Sequence, residues 1–298
     1  VDLGGNLYEG LTVSPTSVMG SMYYAVTGSH DDDPSTRSAV SISAFSESTI
    51  VRYTTKSGLR ETIPLDPYES FLLLSANDLT GHLFTADRPF SVLSGQVPSS
   101  IPSSGNSVSM GYTIEQLPPV CSWGTGSFVL VPSEEGTGTY GYRYRIVAAN
   151  ADTCVTASDG TTFNLDEPGD YADGETETNI LITLTSDKPI MVVQYKTTVE
   201  RSTDSEMVVI PPFAHFPNGP TTVPFLQSHN TDAYNLYVSI VIHCAFVDGL
   251  TYNGNNIRLD PTWNLMTMEN GPFCMAQSPS IRANVASNNI RHNDPEIR

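Results

Sequence analysis

Apolar and polar residues alternate with a period of two along most of this chain. SAVSISAFSESTIVRYTT (38–55), GSFVLVPS (126–133), YGYRYRIVAA (140–149), NILITLTS (179–186), PIMVVQYKTTV (189–199), EMVVIPPF (206–213) and YNLYVSIVIHCAFV (234–247) are rich in Val, Ile, Thr, Tyr and Phe. A period of two sends successive side chains to opposite faces of a strand, so each segment predicts a sheet with one buried face. Turn formers separate the segments: KSG (56–58), SDG (158–160), NG (253–254) and DEPGD (166–170). No dozen residues hold a period of 3.6 without Pro or Gly. The predicted class is all-β.

The pattern repeats. TADRPFSVLSGQ (85–96) and TSDKPIMVVQY (185–195) share Thr-x-Asp-[Arg/Lys]-Pro followed by strand formers, and IPLDP (63–67), NLDEP (164–168) and RLDP (258–261) echo one another. Self-similarity at such a period predicts stacked structural units. Three tandem antiparallel β-sandwich modules are therefore expected, at 1–117, 118–212 and 213–298. Sandwiches are the usual way for short alternating strands to cover each other's apolar faces. The third module reads as incomplete because it shows no copy of the Thr-x-Asp-[Arg/Lys]-Pro motif. The chain opens without Met and so reads as an excised piece, and an unfinished sandwich would leave strand edges open to pairing.

Charge narrows the partners. With 14 Lys+Arg against 32 Asp+Glu the net charge is -18, which repels phosphate backbones and anionic membrane surfaces. No nucleic-acid partner is expected. The longest apolar run, FLLL (71–74), is far too short for a membrane span. Four cysteines, Cys121, Cys154, Cys244 and Cys274, lack the close pairs of a zinc site. They fall two to a module, so disulfides Cys121–Cys154 and Cys244–Cys274 are the economical pairing. Disulfides in turn favour an oxidising compartment.

DRPFSVLSGQ (87–96), EQLPPVCSWGTGSFVLVP (115–132), SDKPIMVVQY (186–195), VDGLTYNG (247–254) and SNNIRHNDP (287–295) together resemble the N-terminal domain of the IgG Fc-binding protein family. The resemblance spans most of the chain in the family's order. It implies a secreted or cell-surface protein, mucus-associated in many members, with a binding or structural role and no enzymatic activity. It carries over no residue-level site.

Candidate chemistry is sparse. In SHDDDPSTR (29–37) the carboxylates of Asp31, Asp32 and Asp33 are the candidate metal site, for Ca²⁺, which takes oxygen ligands on loops. The run lacks the alternate spacing of an EF-hand, and a solvated loop is the plainer reading, so no cofactor is expected. The six histidines form no close ligand pair, and His243 reads as a sheet-face residue. Trp123, Tyr142 and Tyr144 are candidate binding aromatics for a glycan or protein. Against that stands packing, of Trp123 at a module junction and of the tyrosines as a cross-strand ladder. No GxSxG elbow or phosphate-binding glycine loop occurs.

The expected function is non-enzymatic: an extracellular adhesion or recognition protein, or a structural building block. It would bind extracellular proteins or glycans, with homo-oligomers or filaments forming through strand edges. The alternatives are a carbohydrate-active hydrolase on an all-β scaffold and a calcium-stabilised adhesin.

Overall fold

A computed structural model describes residues 11, 13–28, 36–99, 111–132, 141–176, 180–196, 206–216, 222–225, 238–267, 272–278 and 288–292. Strands and short 3-10 turns make up its regular structure. A first sheet contains β1 (Gly20–Tyr24), β2 (Arg37–Ser43), β3 (Thr49–Thr54), β4 (Arg60–Leu65), β5 (Ser70–Ser75), β6 (Leu83–Ser99) and β7 (Gly111–Gln116). A second contains β8 (Gly124–Leu130), β9 (Tyr142–Ala148), β10 (Thr153–Ala157), β11 (Thr162–Leu165), β12 (Tyr171–Glu175), β13 (Ile182–Lys196) and β14 (Glu206–Ile210).

The two sheets share one antiparallel strand order. It is β4-β3-β6-β2-β5 in the first, with β1 and β7 also on β6, and β11-β10-β13-β9-β12 in the second, with β8 and β14 also on β13. Alternation does the work that the sequence predicts: β2 buries Ser38, Val40 and Ile42 and turns Ala39, Ser41 and Ser43 outward. Each sheet hangs on one long strand. Residues 83–86 of β6 pair with β1 and β3, whereas residues 91–97 pair with β2 and, in part, β7.

The Thr-x-Asp-[Arg/Lys]-Pro motif lies inside that long strand, at the place where pairing changes hands. On β1 the partners jump from Phe90 at Gly20 to Thr85 at Met22, and on β13 a matching shift falls between Ser186 and Ile190. Proline has no N–H to give a ladder, so an interruption of this kind is where a strand tolerates it. The aspartates hold the neighbouring strands: Asp87 accepts the backbone N–H of Ile50 at 3.0 Å and Asp187 that of Cys154 at 2.8 Å. Residues 179–186 and 189–199, two predicted segments, therefore contribute to one strand, because a bulge bends a strand without ending it.

Beyond these sheets lie β15 (Thr222–Phe225), β16 (Ser239–His243), β17 (Leu250–Tyr252), β18 (Asn255–Asn256), β19 (Asn264–Thr267), β20 (Phe273–Gln277) and β21 (Asn288–His292). They form the sheets β15-β21-β17-β18 and β16-β20-β19. β21 sits between β15 and β17 as the first part of β6 sits between β1 and β3. The strand Asn288–His292 thus holds the place that the start of β6 holds in the first sheet. The segment 234–247 is shorter as a strand than its alternation predicts, since Cys244–Gly249 turns into a 3-10 helix.

Three clusters of apolar side chains form the interior. The largest takes Tyr23, Phe84, Phe90 and Val92 from the first sheet together with Val147, Met191, Val193, Tyr195 and Met207 from the second and Trp123 from the turn between them. One continuous core therefore crosses from sheet to sheet. A second lies within the second sheet, around Phe128, Ile146, Leu184 and Val192, and a small third surrounds Trp263.

Candidate functional site

The junction between the two large sheets is built around Arg145, whose side chain is 2% exposed. It stands on β9 opposite Asp173 of β12. Nε and Nη2 donate to the two oxygens of Asp173 at 2.6 and 2.7 Å. Nη1 reaches the first sheet, donating to the Thr27 carbonyl (2.6 Å), Asp78 Oδ2 (2.7 Å) and Thr80 Oγ1 (2.6 Å). The guanidinium also lies over the Tyr171 ring, 4.5 Å from its centroid. A planar fork can meet two carboxylates and a ring at once, which a lysine cannot. Burial alone would raise the pKa of Asp78, but the Arg145 charge and hydrogen bonds from Thr80 and Thr27 outweigh it and hold the carboxyl below its ordinary range. The Tyr195 hydroxyl, raised in pKa by burial, donates to Thr27 O at 3.1 Å. A cleft of about 240 Å³ opens beside this network, lined among others by Arg143, Asp173 and Glu175. Every side-chain nitrogen of Arg145 is engaged, so the network acts as a structural lock.

A different surface faces outward on the first sheet. β5 ends the strand order, and its sequence SFLLLS carries no charge, proline or bulge. Leu72 and Leu74 are 57% and 54% exposed, and Phe71 is also exposed. β12 holds the matching edge of the second sheet, with Asp173 facing Arg145 where β5 has Leu72 facing Ser41. On that second sheet, Val147, Met191, Val193 and Tyr195 are buried in the core shared with the first. The first sheet presents the matching face with exposed leucines. Edges of this kind are normally blunted by charge or covered.

The family model for the IgGFc binding protein matches residues 9–288. The chain belongs to the IgGFc-binding protein family. A human protein named "IgGFc-binding protein" is 26% identical over 205 residues, covering 67% of this chain and 4% of the human one. The chain thus spans a small fraction of that relative's length. No solved structure matches it.

Several residues singled out from the sequence have other places in this IgGFc-binding family member. Cys244 and Cys274 are joined by a disulfide. Cys121 and Cys154 are free thiols, which corrects the expected Cys121–Cys154 pairing. Cys121 lies in the 3-10 turn Val120–Ser122, packed near Gly20 of the first sheet, whereas Cys154 lies on β10, whose neighbours are β11 and β13. Tyr142 and Tyr144 are buried at 0% and 2% exposure, so neither ring offers the exposed face that a binding aromatic needs. Their hydroxyl pKa values are raised by burial, that of Tyr144 to about 12. Trp123 is likewise buried: it packs on Tyr24 and donates Nε1–H to the Pro118 carbonyl at 3.1 Å. That contact accounts for Trp following the Pro-Pro pair. Asp31, Asp32 and Asp33 lie outside the described residues. Among the described residues no group of three or more His, Cys, Asp or Glu side chains could hold a metal ion, and no helix is long and apolar enough to cross a membrane.

In GYRYR the tyrosines are the expected binding residues, whereas Arg145 next to them makes the contacts between the sheets. A signal was present: an arginine at a position whose alternation in YRYRIVAA predicts a sheet face flanked by apolar residues. Its partners on the first sheet, 65 or more residues away, gave no local sign.

Proposed function

We propose that the chain is a non-enzymatic binding segment of an extracellular protein, built of three tandem β modules at 1–117, 118–212 and 213–298. It acts in adhesion or recognition, or as a building block of an extracellular assembly. The observation that carries this reading is the β5 edge, which has no further strand beside it among the described residues, with its exposed Phe71, Leu72 and Leu74. An extended segment of a protein partner can add to such an edge, with main-chain hydrogen bonds giving affinity and the leucine face giving selectivity. The disulfide Cys244–Cys274 supports an oxidising, extracellular setting. Membership of a family named for binding supports a protein partner.

The human relative's name supplies the first probe. Immobilised immunoglobulin Fc is titrated with the full chain and with the Leu72→Lys/Leu74→Lys double variant, and self-association is followed by sedimentation. Fc capture or self-association that the double variant weakens at least tenfold is the expected result. Binding to Fc or to itself that the variant leaves untouched would remove β5 from the reading. Absence of both in the parent chain would leave the edge without a partner and sink it.

A further inference from the structure

The loops Asp66–Glu69 and Glu167–Asp170 are the same turn in the two large sheets. In each, a backbone bond joins fourth residue to first (Glu69 N–H to Asp66 O and Asp170 N–H to Glu167 O, both 3.0 Å), and the fourth side chain accepts the first N–H. Proline holds the second position in both. A turn with proline second and positive φ third is of type II, and its third position calls for glycine. The second sheet complies with Gly169 (φ 83°), whereas the first places Tyr68 there (φ 63°). The tyrosine side chain is 78% exposed. A bulky residue at positive φ is an outlier whose strain the rest of the fold must hold, and here it projects an aromatic ring into solvent.

That ring borders a cleft of about 450 Å³ whose other walls include Phe45, Ser46, Glu47, Arg88 and Pro89. The volume falls in the roughly 300–1,000 Å³ range of small-ligand sites. Glu47 and Arg88 form an ion pair across it and both stay well exposed. The second sheet differs at this point too. Lys188, the counterpart of Arg88, is spent on the carbonyls of Ala151 and Asp152 at 2.6 and 2.7 Å. Where the second sheet closes its loop with a glycine and a bound lysine, the first leaves a ring, a guanidinium and a carboxylate around a hollow.

We propose that this cleft binds a neutral saccharide. The proposal rests on the reading of the chain as a binding protein and adds a ligand class and a site to it. The exposed ring of Tyr68 offers a flat apolar face to the C–H side of a sugar. Arg88 and Glu47 supply donors and acceptors for its hydroxyls while cancelling each other's charge. An exposed ion pair contributes little to the fold and can exchange its bond for ligand bonds. The net charge of -18 repels anionic glycans, so a neutral ligand is favoured.

Calorimetric titration of the full chain with neutral cello-, xylo-, manno- and chito-hexasaccharides, and with a heparin hexasaccharide, tests this. At least one neutral sugar should bind. Tyr68→Gly, which installs the residue the turn prefers, should lose about tenfold or more in affinity while its melting temperature holds or rises. Glu47→Gln with Arg88→Ala should lose binding as well. Silence from every neutral sugar, binding of heparin alone, or a Tyr68→Gly variant of parental affinity would overturn the proposal. Self-association abolished by Tyr68→Gly, with no sugar bound, would reassign the ring to a protein contact. Loss of the sugar proposal while Fc capture or self-association persists through β5 would leave the wider reading standing.

Discussion

Arg145 and Asp78, 67 residues apart in the chain, meet at 2.7 Å across the junction of the two large sheets. Asp78 is 20% exposed and Arg145 2%, so the pair is shielded from water and its loss is felt. Removing one partner of a buried pair strands the other, at a cost of about 3–5 kcal/mol. Because Asp173 remains half exposed, Arg145→Met should fall near the low end, about 3 kcal/mol. Urea unfolding of the full chain measures it. Adding Asp78→Asn, which removes the stranded charge, should recover part of the loss. A cost under ~1 kcal/mol for Arg145→Met would show that the lock does not hold the junction.

Acid should weaken the fold in two steps. Burial depresses the His82 pKa below its ordinary 6.5, and the Tyr53 hydroxyl lies 2.6 Å from its Nδ1. The unfolded imidazole then takes a proton before the folded one does, so stability is complete above about pH 6.5 and declines below it. Asp78 has the same sign at lower pH: its folded pKa lies under 3.8, and its share of stability is lost as pH falls through about 4 and on through the folded value. Urea midpoints from pH 7.5 to 3 should show both declines, and His82→Gln should flatten the first.

The cysteines differ in role. The Cys244–Cys274 bond spans a sequence separation of 30, which in the chain-entropy account is worth about 3–4 kcal/mol. Cys244→Ala/Cys274→Ala should lower the thermal midpoint of the third group of strands. A thiol reagent added to the native chain should react first with exposed Cys121 and later with half-buried Cys154. Two thiols in total are expected after unfolding without reductant; none would reinstate the bond between them.

Gly81 and Gly169 touch backbone to backbone at the junction, with φ of 80° and 83°. A Cβ at Gly81 would stand 2.2 Å from the Gly169 carbonyl oxygen, and one at Gly169 2.6 Å from the Tyr24 ring. Gly81→Ala therefore combines a left-handed penalty of roughly 1–2 kcal/mol with a clash against rigid backbone. It should destabilise more than Gly58→Ala, whose site has the same φ sign but open space. Equal losses in the two variants, read by thermal unfolding, would show that the contact is not tight.

Strand class was legible because a period of two needs no tertiary information: β9 lies within a segment that alternates, and β13 joins two of them. The repeat was legible too, down to its turns, because glycine and proline mark backbone geometry directly. Pairing was not. Cys121 and Cys154 share a module by sequence spacing, but a 3-10 turn carries one of them onto the neighbouring sheet. Tyr142 and Tyr144 could be read as a binding face or as a packed ladder because alternation tells two faces apart without saying which one is covered.

The sequence by itself determined the all-β class and the repeated turns, since each follows from local sterics and side-chain period. Only the tertiary structure decided that Arg145 locks two sheets, that β5 ends the strand order of the first sheet among the described residues and that Tyr68 borders an open cleft. Those depend on which surfaces meet between residues distant in the chain, and burial, charge pairing and exposure take their value from the meeting.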